Sequence, residues 1–496
     1  MNKMVVNHLG KLFVTSDSGA ILEQIDVQHP AAKLLIDAMA AQENECGDHT
    51  NYVLVFAGEL LAKADALLRM GIHGSDIVLG YQMALEKVGE EMESLAVDFP
   101  VDLHSAESLT AVLTPVIASK QYGYEEHFAS VIGTACAQVM PENVLNFNVD
   151  NIRVAKMVGG DVLDTAVVKG MVVGRRPETT IQTIEGGRVA VFAQAISAQS
   201  TETKGTVLMH NADELLSFSK AEEDQMEGYI KGIADSGANV VLTGGKISDI
   251  ALHFLNKYNL LAVKVLSKFQ LRRLCKAVGA KPLVNLGVPS PDDLGFCDRI
   301  DVKEIGSTFV TVFEQSVEDS GISTILIRGA TMNILDDVSR AVDDGVNTIK
   351  ALTKVAVSGK PALVAGAGAF ELELATKIAD YADQQPGVVQ YAIRAFSEAL
   401  EVVPRALAEN SGFDATKILA DLYSAHKSGS PHAGVDIETG EIVDALEAGI
   451  VDVASTKSWG MMHAVDAAST VVSVDELIVA RAAGGPKPPA MAGRDA

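Results

Sequence analysis

Apolar residues recur along this chain with two different periods, and the change of period divides it into three stretches. In the first, Val53, Phe56, Leu60, Ala64 and Leu67 are spaced 3, 4, 4 and 3 residues apart, which places them on one face of a helix. A second helical pattern covers Ser75–Leu95, so the first ~95 residues read mainly as helix. Helical spacing continues from about Val101 to Gly160 and turns irregular at FNVDNIRV (Phe147–Val154). The middle stretch differs. Short β-like runs appear at Val189–Phe192, Asn239–Thr243, Leu260–Leu266 and Phe309–Phe313, alternating with helical segments such as Asp213–Ile233 and Ile247–Tyr258. That alternation predicts an α/β domain. After STILIRG (Ser323–Gly329), long helices return over Leu335–Thr353, Phe370–Tyr381 and Val388–Leu400. No internal repeat is detectable. Helical ends around an α/β middle predict a nested layout, with the middle inserted into a domain built from both ends.

Composition narrows the function classes. The 496 residues suffice for about three domains of ~150 each. With 48% hydrophobic and 21% charged residues, the chain can bury large cores and does not read as disordered. A net charge of -25 argues against nucleic acid or an anionic membrane as partner, because both require a basic face. Cys46, Cys136, Cys275 and Cys297 are far apart and form no CxxC pair, which predicts neither a zinc site nor a disulfide framework. No apolar run approaches a membrane span and the N-terminus lacks a signal-peptide pattern, so the expected location is cytoplasmic. The Pro- and Gly-rich end AGGPKPPAMAGRDA (Ala483–Ala496) is expected to be flexible.

Three segments carry candidate chemistry. CGDHTN (Cys46–Asn51) precedes the first apolar helix. Its Asp or Thr either caps that helix or sets a carboxylate at a helix N-terminus to hold Mg²⁺ on a phosphate. AVDDGVN (Ala341–Asn347) pairs Asp343 with Asp344 in a helical pattern. The pair is either a solvated face or a carboxylate positioning water against a γ-phosphate. LVAGAGAFE (Leu363–Glu371) is a Gly/Ala turn opening a helix, either a tight packing turn or a loop whose backbone approaches a phosphate. It comes near GxGxxG, but Glu371 stands at the last glycine and long helices flank it, against a dinucleotide fold. Gly244-Gly245-Lys246 lacks the rest of a Walker A motif, and HExxH is absent. Lys204–Glu223 reads as an amphipathic helix with a charged face, or as an edge where Leu215, Leu216 and Phe218 meet a partner. The three segments lie hundreds of residues apart and can form one site only if the two ends of the chain fold together.

The ordered set HPAAK, GD-T, KGTV, SGANVV, LRRLCKAVGA, STILIRGA, DDGVN, RALAENSG, GVDIETGEI and EAGIVD covers nearly the whole chain. It resembles the group II chaperonins, specifically the eukaryotic cytosolic chaperonin TRiC/CCT. MNKMVVNHL, SKQYG, FNVDNIRV, ETKGTVL and AGGPKPP resemble the theta branch of that family. The resemblance implies an α+β multi-domain chaperonin fold. A helical equatorial ATP-binding domain would comprise 1–97 and 360–496, and a hinge-like intermediate domain 98–168 and 324–359. An inserted α/β apical domain would span 169–323, with a helical lid protrusion over 204–232. Implied cofactors are ATP and Mg²⁺; implied partners are paralogous subunits in a double ring and unfolded protein clients, with no nucleic acid and no membrane.

Residue by residue, the resemblance makes Asp48 the Mg²⁺ ligand, with Gly47, Thr50 and Asn51 around the phosphates. Asp344 would activate water, and Lys120 would sense the γ-phosphate. Gly366 and Gly368 would lie at the ribose and adenine, Asp452 at the ribose, and Asp436 in a loop near the adenine. Gln270–Lys276 would face clients, with Gln270, Leu271, Arg273 and Leu274 as contacts. The chain also departs from the family pattern. It begins at MNKM, without the family's GPxG phosphate loop, and Asn2 stands where most members have Asp. His49 replaces the second Gly of GDGT. Ala365, Ala367 and Phe370 replace Pro, Gly and Thr of PGGGAT, and Val453 replaces Pro after GIVD. Two further hypotheses therefore stand beside an ATP-driven folding subunit. One is a structural, client-binding subunit with weak or lost ATPase. The other is a nucleotide-using metabolic enzyme, which would need acid–base residues concentrated in the middle stretch, where none are found.

Overall fold

The computed structural model describes residues 2–197, 212–306, 308–315, 321–354 and 362–479. The start of the expected lid, 204–211, and the Pro/Gly-rich end lie outside the described residues.

One core draws on both ends of the chain. Helices Thr50–Arg69, Gly74–Glu91, Ala369–Gln384, Val389–Leu400 and Ala454–Val472 bury their apolar faces together. Val53, Phe56, Leu60, Ala64 and Leu67, the stripe read from the sequence, are all in it. Phe56 meets Phe396 edge-to-face at 5.4 Å, and Tyr81 donates its hydroxyl to the Leu60 carbonyl at 2.8 Å. Gly80 lets the helices close, because a Cβ there would lie 2.4 Å from Ala392 Cβ. A second core packs helices Ala106–Ala118, Glu125–Val139 and Met332–Thr353 on strands Ile152–Val158 and Ser323–Gly329.

The middle stretch forms a mixed sheet. Its edge-to-edge order is Ile152–Val158, Ser323–Gly329, Ala166–Val173, Thr308–Glu314, Gly295–Ile305, Thr183–Phe192, Val240–Thr243, Leu261–Lys264, with Pro282–Leu283 also on Thr183–Phe192. Alternation along its strands separates two cores. Val189, Val191, Val240, Leu242, Leu261 and Val263 face helix Lys268–Val278. Ala190, Phe192, Val241 and Ala262 face helices Ala212–Asp235 and Asp249–Lys257. Burial on both faces explains why these runs read as continuous rather than alternating apolar sequence.

The N-terminal stretch is mainly helix, as expected, but opens on an antiparallel hairpin of Lys3–Val6 and Leu12–Thr15 in register Lys3↔Thr15 to Val6↔Leu12. Four-residue strands are too short for a period to show, and the turn signal was Asn7 and Gly10. Asn7 Oδ1 accepts from the Leu9 and Lys11 N–H groups, and Gly10 has φ 74. The stretch to Gly160 ends not in helix but in strand Ile152–Val158, paired parallel with Ser323–Gly329. A strand whose partner is more than 160 residues away leaves no local signal.

Candidate functional site

The Asp48 loop is held from three sides. Helix Pro30–Glu45 ends at Cys46, and Gly47 turns the chain at φ 71 into helix Thr50–Arg69. Gln42, fully buried, donates from Nε2 to the Asp48 carbonyl at 3.0 Å and to the Thr456 carbonyl at 3.2 Å, fastening the loop to helix Ala454–Val472. On the third side runs the DDGVN helix: a Cβ on Gly47 would lie 2.3 Å from Asn347 Nδ2. Gly47→Ala is therefore expected to cost roughly 1–2 kcal/mol in left-handed strain and about 1–3 kcal/mol in overpacking. A urea melt reads the loss, and a cost below 1 kcal/mol would contradict this close approach.

Around this loop, seven charged groups alternate in sign. Asp344 lies 2.9 Å from Lys120 Nζ, which is 3.7 Å from Asp48. Asp48 is 3.2 Å from His49 Nδ1, and His49 Nε2 is 3.9 Å from Asp452. Asp452 is 2.9 Å from Lys457 Nζ, which is 2.5 Å from Glu371. Four of the seven, Asp48, Lys120, Asp344 and Asp452, are residues the sequence singled out for chemistry, and His49 was read only as a departure from the family pattern. Lys457 was missed, and Glu371 was read only as a departure from a glycine pattern. Their signal in the sequence is a lone lysine amid the small and apolar positions of ASTKSWGMM and a lone acid directly behind the Gly/Ala loop.

The fields within this chain separate the two candidate carboxylates. Burial alone would favour protonated Asp48, but the charges of His49 and Lys120 outweigh it and hold the group well below the ordinary carboxylate range. Asp344 goes the other way. Burial, with Asp48 and Asp17 nearby, outweighs Lys120 and raises it to about 7. Lys120 is held charged by Asp48 and Asp344 despite its burial. The Asp343–Asp344 pair thus splits: Asp344 faces Lys120, while Asp343 is exposed on the side of Arg153 and Lys156.

Beside the charges opens a cavity of about 370 Å³. Asp48, Thr50, Asn51, Lys120 and Asp452 line it, together with His49. The expected glycine loop does not. Gly366 packs on Ile450 and Gly368 on Pro404, where added Cβ atoms would lie 2.8 and 2.9 Å from side-chain carbons. The wall on that side is helix Val402–Asn410, through Val403, Ala406, Leu407 and Asn410. Asp436 is also apart from the cavity lining; it accepts from Glu438 N–H and the Thr439 hydroxyl, fixing the turn between Ala433–Val435 and Ile442–Asp444. The sequence located the loops, but which atoms of each face the cavity was settled by packing.

His49 and Ala367, two of the departures from family glycines, occupy left-handed backbone at φ 63 and 55. Both residues hold a backbone conformation that glycine adopts at no steric cost. Left-handed backbone costs a side-chain-bearing residue about 1–2 kcal/mol, and glycine returns roughly 0.5–1 of that as unfolded-state entropy. Ala367→Gly is expected to stabilise the chain by about 0.5 kcal/mol, read as a higher urea midpoint. A lower midpoint would show that the Ala367 methyl against Gly434 matters more than the strain.

On the apical helix the expected client contacts divide. Leu271 and Leu274 are buried against the sheet, so they are corrected from client contacts to core residues. Their spacing of three suits either face, and only docking on the sheet decides it. Arg273 pairs with Asp150 at 3.3 Å and Lys276 donates to Asn151 at 2.6 Å. Phe269, 73% exposed, and Arg272 are on the outer face, and Gln270 is half-buried.

Nested helical ends, an inserted sheet domain and a carboxylate–lysine site joining distant segments are the features of a chaperonin. Residues 1–482 match the family described as the TCP-1/cpn60 chaperonin family, and the chain belongs to it, with its α+β multi-domain fold. Named relatives agree with the theta resemblance. T-complex protein 1 subunit theta of Dictyostelium discoideum is 48% identical over 496 residues, covering 100% of this chain and 91% of the relative. The Homo sapiens protein of that name is 47% identical over 491 residues, 99% and 88% of the two chains. That of Arabidopsis thaliana is 44% identical over 489 residues, 98% and 88%. Among the described residues, no helix is long and apolar enough to cross a membrane.

Proposed function

We propose that this chain is a subunit of a hetero-oligomeric, double-ring cytosolic chaperonin that binds unfolded proteins and drives their folding with ATP. The observation that carries the reading is the meeting of Asp48 and Lys120 at one cavity, with Asp344 paired to Lys120 at 2.9 Å just behind its lining, from segments nearly 300 residues apart. The residues suit a Mg–nucleotide. Asp48 is kept ionised beside the N-terminus of helix Thr50–Arg69, where free N–H groups favour phosphate. A metal bound there would offset phosphate charge. Thr50 and Asn51 would donate toward phosphate oxygens and Lys120 would meet the terminal phosphate, with Asp344, paired to Lys120, taking a proton from the attacking water. A carboxyl titrating near 7 suits that work at neutral pH.

The proposed domain division follows the cores in outline, with Leu363, Val451 and Val453 of the equatorial range packing into the second core. The equatorial domain takes 1–97 and 360–496, the intermediate 98–168 and 324–359, and the apical 169–323. Lys120 and Asp344 lie in the intermediate segments and Asp48 in the equatorial one, so phosphate bound between them would couple hydrolysis to hinge motion. Assembly with paralogues explains the hairpin Lys3–Val6/Leu12–Thr15, an isolated two-stranded sheet with Met4, Val6 and Leu9 exposed, and the exposed Leu477, Ile478 and Val479. Native mass measurement of the endogenous protein tests this: a particle near a megadalton supports the ring, and a monomer or small oligomer sinks it.

A second reading, a subunit that binds clients and nucleotide but hydrolyses poorly, is favoured by one observation. His49 reaches toward both Asp48 and Asp452, where the family pattern has a glycine. Nucleotide retained without turnover in the assembled particle would select it.

A further inference from the structure

Of the seven charged groups, Glu371 and Lys457 have no part in the chemistry above. Both are withdrawn from water: the Glu371 side chain is 0% exposed and that of Lys457 3%. A buried ion pair is seldom kept for stability, since apolar side chains of similar volume do as well. What it orients is the more informative question. Lys457 Nζ donates to Glu371 at 2.5 Å and lies 2.9 Å from Asp452 Oδ2. It also lies 5.4 Å from the Phe370 ring centroid. Asp452 and Glu371 ride on two joined segments. Strand Leu363–Ala365 pairs with Val451–Val453, Val364 opposite Asp452, and the Gly/Ala turn then carries the chain to Glu371. Lys457 sits in the helix that continues from the second strand. The ammonium thus bridges both segments, and Asp452, a quarter exposed, remains on the cavity wall.

We propose that Lys457, anchored on Glu371, is a positioning residue that holds Asp452 Oδ2 and leaves Oδ1, on the cavity wall with His49 Nε2 3.9 Å away, to select a ligand with a vicinal diol, the ribose of a ribonucleotide, over its deoxy counterpart. The inference rests on the nucleotide reading of this cavity. The logic is that of a fixed acceptor. A carboxylate with one oxygen held by a buried ammonium cannot rotate to serve a lone hydroxyl equally well. A diol gains two aligned hydrogen bonds where a deoxy sugar gains one. A ligand lacking its partner for a fixed charged acceptor forfeits about ten- to a hundredfold in affinity.

The test uses the full chain in its assembled complex, with the other subunits' sites inactivated, and measures Kd for MgATP and Mg-2′-deoxy-ATP by displacement of a fluorescent nucleotide. Lys457→Met with Glu371→Gln removes the bridge without leaving a buried charge, and Asp452→Asn tests the sugar contact itself. The parent is expected to prefer ATP by about tenfold or more. The double variant should bring the ratio below about threefold, by weakening ATP while deoxy-ATP binding is unchanged. Equal weakening of both nucleotides would mean a structural role only and overturn the proposal. So would a double variant that keeps the parent's ratio while Asp452→Asn loses it, with the nucleotide reading left standing. If the parent does not discriminate, or Asp452→Asn discriminates as the parent does, the sugar role of Asp452 fails and takes the positioning role with it. If the parent binds neither nucleotide, the nucleotide reading itself fails.

Discussion

Lys457→Met alone is expected to lower the stability of this chain by about 3–5 kcal/mol, measured by urea unfolding, because it leaves Glu371 buried without its counter-ion. The alternatives open to Glu371 are poor. Its side chain is wholly excluded from solvent, and Oε2 has no hydrogen-bond partner even with Lys457 present. Adding Glu371→Gln in the same chain should return most of the loss, since a neutral amide needs no counter-charge. That recovery identifies the cause. A cavity left by a shortened side chain would not be repaired by a substitution elsewhere, whereas an uncompensated charge is. If the single variant costs under 1 kcal/mol, the buried ion pair is not as closed as its geometry states. If the double variant is no better than the single, packing rather than charge holds this corner.

Asp344→Asn is expected to reduce ATP turnover by roughly 10²–10⁴-fold while leaving nucleotide affinity within a few-fold, measured in an assembled complex whose other subunits are silenced. A group that takes a proton from water contributes in the transition state and little to ground-state binding. Asp48→Asn should differ by weakening Mg–nucleotide binding itself. Loss of binding in Asp344→Asn, with turnover per bound nucleotide unchanged, would reverse the two assignments.

The same substitution should change the pH dependence of stability. Asp344 titrates near 7 in the folded chain, above the ordinary value of about 3.9. The folded state therefore keeps a proton that the unfolded state has released, and this group's contribution falls as pH rises from about 4 to about 7. Asp48 has the opposite sign. Its folded value is depressed, so its contribution is present above about 4 and lost as pH falls further. Asp344→Asn should flatten the urea midpoint between pH 4 and 7 relative to the parent. An unchanged slope across that window would show that Asp344 is not the group responsible.

Elements with a strong period, and loops that set acids beside small residues, could be read from the amino acids alone. The stripe Val53–Leu67 had to be a buried helix face, because no other conformation puts those five side chains on one side. Gly47-Asp48 before that helix and Asp343-Asp344 in another stood out as acids beside small residues, but a helix cap and a solvated face fitted the same letters equally well. Their union was also foreseeable in outline, from helical ends around an α/β middle and from the family resemblance. Other features were decided only in three dimensions. The strand Ile152–Val158 depends on a partner distant in sequence. Leu271 and Leu274 carry the same letters whether they meet clients or the sheet, and docking of the helix put them inside. Gly366 and Gly368 looked like ligand loops, yet their missing side chains serve Ile450 and Pro404, and helix Val402–Asn410 forms that cavity wall. The raised Asp344 and depressed Asp48 are identical residues in sequence. Their difference comes from burial and from which charges lie within a few ångströms, and distance in space is fixed by the packing of segments that the sequence keeps hundreds of residues apart.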